Sequence, residues 1–139
     1  LFLLLLLLLL LFFVLYFLSQ HLGVLIRVVP IKESHTLSIE WDIPPTESLF
    51  RQAPTNYLSH LLGHEGAGSA FALLKARGLA NALSAGEGGG GLSSRSFFAV
   101  KVDLTEEGNS RVPEVAEVVF KYLELMRAPG GINEQVCVL

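Results

Sequence analysis

NYLSHLLGHEGAGSAFALLKARGLANALSAG, residues 56–86, reads in order as helix, turn, helix and strand, and this order decides the fold. Pro54, just upstream, pre-sets the backbone for the first turn of a short helix that carries Tyr57, Leu58, Leu61 and Leu62. Gly63 or Gly66 ends it. Ser69 is a good N-cap for a second helix, with Phe71, Leu73 and Leu74 expected inside. Lys75 and Arg77 sit at the negative end of that helix, and Gly78 is placed to close it. A strand follows at about 80–85.

Upstream, TLSIEWDI alternates cleanly: Leu37, Ile39, Trp41 and Ile43 face one way, and Thr36, Ser38, Glu40 and Asp42 the other. Such a strand is half-buried. Residues 24–31 read as the strand before it, joined through a polar turn at 32–34, with Pro30 marking an edge or a strand end. Pro44 and Pro45 stop the sheet. Downstream, Phe98, Val100, Val102 and Leu104 alternate against Phe97, Ala99, Lys101 and Asp103. The run GEGGGG at 86–91 lacks the Gly-Lys-Ser/Thr ending of a phosphate loop and leads into a strand, so it reads as a hairpin connection. Val112, Val115, Val118, Val119, Tyr122, Leu123 and Met126 then recur at helical spacing, a core-facing stripe. Strands and helices in this order predict an α+β fold, a mainly antiparallel sheet with helices packed on one face. Leu37, Ile39, Trp41, Phe98, Val100, Val102, Val119 and Leu123 should share one core.

The 139 residues open with LFLLLLLLLLLFFVLYFL at 1–18, an apolar run that as a helix would be roughly 27 Å long, enough to span a bilayer. It lacks the basic start and small-residue cleavage site of a cleaved signal peptide, and is followed by Ser-Gln-His. A membrane anchor, an uncleaved signal and a low-complexity extension all fit it. Membrane association through 1–18 is the one localisation the sequence suggests. The division expected is therefore 1–18, a hydrophobic helix, and 22–139, a partial domain. A net charge of −3 with unclustered basic residues excludes a nucleic-acid surface. Cys137 is the single cysteine, which excludes an internal disulfide.

The segment 56–86 also resembles the insulinase (pitrilysin-type) zinc metallopeptidases, in their insulysin and nardilysin branch. The resemblance extends to LGVLIRVVPIKE at 22–33, VDLTEEG at 102–108 and INEQ at 132–135. It points to the second domain of these two-halved enzymes, which lies beside the catalytic domain and lacks the metal site. The fold implied is the same α+β sandwich, continuing past Gln135, so that roughly half a domain is expected here. The family pattern suggests a helix beginning at Thr105. Pro113 requires that helix either to restart or to kink.

A catalytic centre of this family needs His-x-x-Glu-His on a helix, two imidazoles one turn apart holding zinc with a carboxylate between them as base. His60 and His64 keep the spacing, but Gly63 occupies the base position, and Glu65 would fall about 100° further round a helix. No catalytic or metal-ligating residue is assigned, and zinc belongs to the parent family, not to this chain. The resemblance instead implies a chamber wall with an exosite for the amino-terminal end of a peptide substrate. Its positions fall on His60, Gly63, His64, Glu65 and Gly66, and on the strand with Leu83, Ala85 and Gly86. Glu65 would pair with an α-ammonium, the strand edge would add the peptide as an extra strand, and Glu87 would add charge. Ala85 stands where insulysin has glycine. The partners implied are peptide substrates and the catalytic domain of the parent protease or another subunit. Two readings of another class remain: a membrane-anchored pseudo-protease remnant with a peptide-binding or regulatory role, and a hydrolase using an unrecognised site. The duller explanation of each residue is a solvated or capping side chain at a helix end.

Overall fold

The computed structural model describes residues 23–29, 31, 34–88 and 96–128. The chain divides into two compact units, Leu1–Lys32 and Glu33–Leu139. All the described regular elements belong to the second: β1 (Thr36–Ile43), a 3-10 turn (Glu47–Leu49), α1 (Pro54–Leu62), α2 (Ala70–Ala76), β2 (Ala80–Gly88), β3 (Ser96–Leu104), α3 (Glu106–Ser110) and α4 (Val112–Arg127). The helix expected at 1–18 lies outside the described residues. No described helix is long and apolar enough to cross a membrane.

Both strand alternations hold, and they dictate the register. β3 lies in the middle of the three-stranded sheet, order β1-β3-β2, antiparallel to both neighbours. Leu37 pairs with Val102, Ile39 with Val100 and Trp41 with Phe98, so the apolar residues of β1 and β3 share a face. Val100 and Val102 are fully buried there. The partly buried Leu37, Ile39, Trp41 and Leu123 pack against the same cluster, which includes Val119. Trp41 also meets Phe98 and, edge-on, Phe120, with ring centroids 6.5 and 6.1 Å apart.

Among the described residues of 24–31, where a strand is expected, none belongs to a regular element; β1 takes its ladder from β3. An apolar run without alternation specifies no register, and a strand exists only through the partner it finds. β2 in turn runs further than 80–85. Gly86, Glu87 and Gly88 are ladder residues opposite Ala99, Phe98 and Phe97. The remaining glycines of the connection lie outside the described residues.

The helices follow their local signals with one exception. Pro54 opens α1, and the Ser69 hydroxyl accepts from the Ala72 N–H at 3.1 Å to cap α2. Gly78, at φ 71°, closes α2 in the left-handed region. Leu73, expected inside, is 44% exposed, because a helix of seven residues buries one stripe, here Ala70, Phe71 and Leu74. Leu73 lines an apolar cleft of about 610 Å³ with Val118, Tyr122 and Leu125. Pro113 resolves as a restart: α3 ends at Ser110, Arg111 leaves helical geometry at φ −121°, and α4 begins with the proline in its first turn.

VDLTEEG, one of the segments that carried the resemblance, becomes a joint in the fold. The Thr105 hydroxyl donates to the Gly78 carbonyl at 2.7 Å and accepts from the Gly108 N–H at 2.9 Å. The Thr105 N–H bonds the Leu79 carbonyl at 3.2 Å. Gly108 is buried, and a Cβ there would lie 2.0 Å from the Leu79 oxygen, so only glycine lets α3 approach the α2–β2 turn this closely. Arg77 at the end of α2 pairs with Glu114 on α4 at 2.9 Å across the same joint.

Candidate functional site

α1 sets the first half of the site. Its Leu62 is buried, while Tyr57, Leu58 and Leu61 are partly so, which turns His60 outward. The helix ends at Leu62. Gly63 supplies the C-cap, its N–H bonding the Ser59 carbonyl at 2.8 Å, and a Cβ at 63 would stand 2.9 Å from that oxygen. His64 therefore already lies outside the helix. Its Nδ1 accepts the Gly66 N–H at 3.0 Å, and its ring meets His60 nearly edge-on, with centroids 6.2 Å apart.

This geometry corrects the helical placement of Glu65. No helix continues past Leu62, so neither His64 nor Glu65 has a position on its wheel. The residues do not fit a catalytic zinc. The one-turn spacing of the imidazoles depends on a helix that ends too early, the carboxylate position is Gly63, and Nδ1 of His64 is engaged by backbone. Among the described residues, no three His, Cys, Asp or Glu side chains are grouped as metal ligands.

β2 sets the second half. Leu83 is buried and Ala85 partly buried against the core, so both turn their side chains inward and only their main chain is on offer. β2 is an edge of the described sheet, with β3 on one side and no described strand on the other. Gly86 brings the two halves together: a Cβ at 86 would sit 3.8 Å from the Ser59 hydroxyl, one residue before His60. The Tyr122 hydroxyl, from α4, donates to the Leu61 carbonyl at 3.4 Å and ties down the end of α1. Glu65 is exposed and makes no ion pair among the described residues.

Glu87, expected only to add charge, is held by hydroxyl donors. The Thr46 hydroxyl lies 2.8 Å from both carboxylate oxygens and the Thr55 hydroxyl 3.0 Å from Oε2. Hydroxyls of Ser96, Thr46 and Thr55, in that order of effect, hold its carboxyl below the ordinary carboxylate range. Nothing local in the sequence marks Thr46 or Thr55 as partners of Glu87, which lies 41 and 32 residues away.

The family described as the Peptidase M16 inactive domain matches residues 15–136. The chain belongs to that family. It is 42% identical over 112 residues to insulin-degrading enzyme-like 1, peroxisomal, of Arabidopsis thaliana, covering 81% of this chain and 11% of that protein. Human nardilysin is 41% identical over 109 residues, covering 76% of this chain and 10% of that protein. The crystal structure of pitrilysin superimposes with a TM-score of 0.70 at 25% identity, over 74% of this chain and 11% of that one. The mixed helix and antiparallel sheet seen here is thus a pitrilysin-like fold, and the chain spans about a tenth of the length of the relatives it matches.

Proposed function

We propose that residues 22–139 act as a non-catalytic chamber-wall module of an insulysin-like or nardilysin-like peptidase and hold the amino-terminal end of a peptide substrate. The observation that carries this reading is the juxtaposition of an edge strand, β2, with the end of α1 through Gly86 and Ser59. An extended peptide can add to the Leu83–Gly86 edge by main-chain hydrogen bonds, whose affinity does not depend on side-chain sequence. Its α-ammonium would be attracted by two sources. The C-terminal end of α1 carries the negative pole of the helix dipole, and Glu65 is an exposed carboxylate without a competing cation among the described residues. Gly63, His64 and Gly66 form the turn that presents Glu65, and His60 stands beside it on the last turn of α1. The catalytic domain of the parent protease supplies the hydrolytic chemistry, so the intact chain given zinc should leave peptides uncleaved. Chelator-sensitive turnover abolished by His60→Ala would overturn that assignment.

The binding role is tested with free and amino-terminally acetylated forms of one extended peptide. Glu65→Gln should weaken capture of the free form by about 1 to 3 kcal/mol, the range for a hydrogen bond to a charged group, and leave the acetylated form nearly unchanged. Because a peptide α-amine titrates near pH 8, the difference between the two forms should be full below about pH 7 and vanish above about pH 9. Equal losses for both peptides, or a difference that ignores pH, would mean that Glu65 does not read the amino terminus.

A further inference from the structure

Two hydroxyls distant in sequence, those of Thr46 and Thr55, converge on one carboxylate, and Ser96 helps lower its pKa. Glu87 stands near the end of β2, Thr46 directly precedes the 3-10 turn, Thr55 lies in the first turn of α1, and Ser96 begins β3. Thr55 is buried although its neighbours Pro54 and Asn56 are exposed, so its hydroxyl is turned inward toward the strand. α1 has no side-chain N-cap and no acidic residue of its own in the first turn, and Ala53 at the N-cap is held left-handed at φ 38°. The anion that such an end favours arrives instead from β2. None of the ion pairs among the described residues involves Glu87, and the causes of its lowered pKa are hydroxyl donors.

We propose that Glu87 is a positioning residue: its carboxylate clasps the segment before α1, and the start of α1 itself, to the β2–β3 hairpin. The clasp sets where the far end of α1, with residues 60–66, stands relative to the β2 edge. Its relevance to peptide capture rests on the function proposed above. α1 is a rigid element of nine residues, about 13 Å long, so fixing its first turn at Thr55 constrains its last turn at His60 to Leu62. Between Gly86 and Ser59 there is room for a Cβ at 3.8 Å from the hydroxyl, an approach that sets no direction, whereas hydrogen bonds to a shared carboxylate do. A carboxylate accepts from both threonine hydroxyls at once. Glutamine keeps one acceptor oxygen and offers an N–H₂ that a hydroxyl can accept, so it should retain part of the clasp; alanine should retain none.

The test compares the intact chain with Glu87→Gln, Glu87→Ala and Thr55→Val. Three readouts are followed: amide exchange across α1 and β2, the titration of the Glu87 carboxyl carbon by NMR, and capture of the free-amine peptide. Wild type should show a Glu87 midpoint below ordinary carboxylates, and Thr55→Val should raise it. Glu87→Ala should speed exchange in the first turn of α1 and weaken capture about tenfold, with Glu87→Gln within about threefold of wild type. Unchanged exchange in Glu87→Ala, or an ordinary midpoint in wild type, would overturn the clasp. Faster exchange with unchanged capture would overturn its positioning role. If wild type captures no peptide, the proposed function fails while exchange and titration still decide the clasp. Should Glu87→Ala not fold, Thr55→Val with Glu87→Gln carries the same comparison.

Discussion

Two glycine-bearing joints, the turn after α1 and the one after α2, are built from similar residues for different ends. At the second, a Cβ on Gly108 would meet Leu79 backbone at 2.0 Å, Gly78 is left-handed at φ 71°, and Thr105 bonds in both directions between them. The Gly108 approach there is backbone against backbone, and the Thr105 hydroxyl and the Arg77–Glu114 pair brace it. At the first, a Cβ on Gly66 would meet only the His64 imidazole, at 2.4 Å, and an exposed ring can swing away. Glycine is a structural necessity where two main chains touch and a convenience where a side chain can yield. That separates Gly108, in the joint that holds the fold, from Gly66, in the turn proposed to receive a ligand; Gly63 in the same turn, whose Cβ would stand 2.9 Å from the Ser59 carbonyl oxygen, belongs with Gly108.

The largest effect should therefore come from Gly108→Ala. The new methyl meets a carbonyl that cannot retreat without pulling α2 from β2, and the loss should be about 3 kcal/mol or more by chemical denaturation. A loss below about 1 kcal/mol would break the contrast at its stronger end. Thr105→Ala comes next. It removes the cap on the Gly108 N–H and the bond to the Gly78 carbonyl together, for about 1 to 2 kcal/mol. A neutral result would mean that neither bond constrains the joint. The smallest effect belongs to Gly66→Ala, within about 0.5 kcal/mol in stability. It should shift the NMR signals of His64 and leave those of Thr105 unmoved. Stability loss comparable to Gly108→Ala would erase the distinction between the two turns.

Much of this fold was legible in local patterns. The alternation in TLSIEWDI and FFAVKVDL assigned the core face of both strands, since successive side chains must point to opposite sides of a sheet. Ser69 and Gly78 marked the ends of α2 because capping is decided within a few residues. Pro113 forced a choice between restart and kink, and the backbone at Arg111 supplied the answer. The site was less legible. Leu83 and Ala85 were identified as edge residues, but their inward side chains follow from the pairing of β2 with β3.

The sequence by itself determined the family, through motifs that run the length of the described domain, and the missing base at position 63, because one residue type either can or cannot take a proton. It also determined the faces of strands and helices, whose periods are properties of local geometry. Tertiary structure alone decided that β1 pairs with β3, that Gly108 rests on Leu79, and that Glu87 gathers Thr46 and Thr55 around its carboxylate. Those are contacts between residues far apart in the chain. No local periodicity encodes them, and they come into being only when burial of the common core brings the elements together.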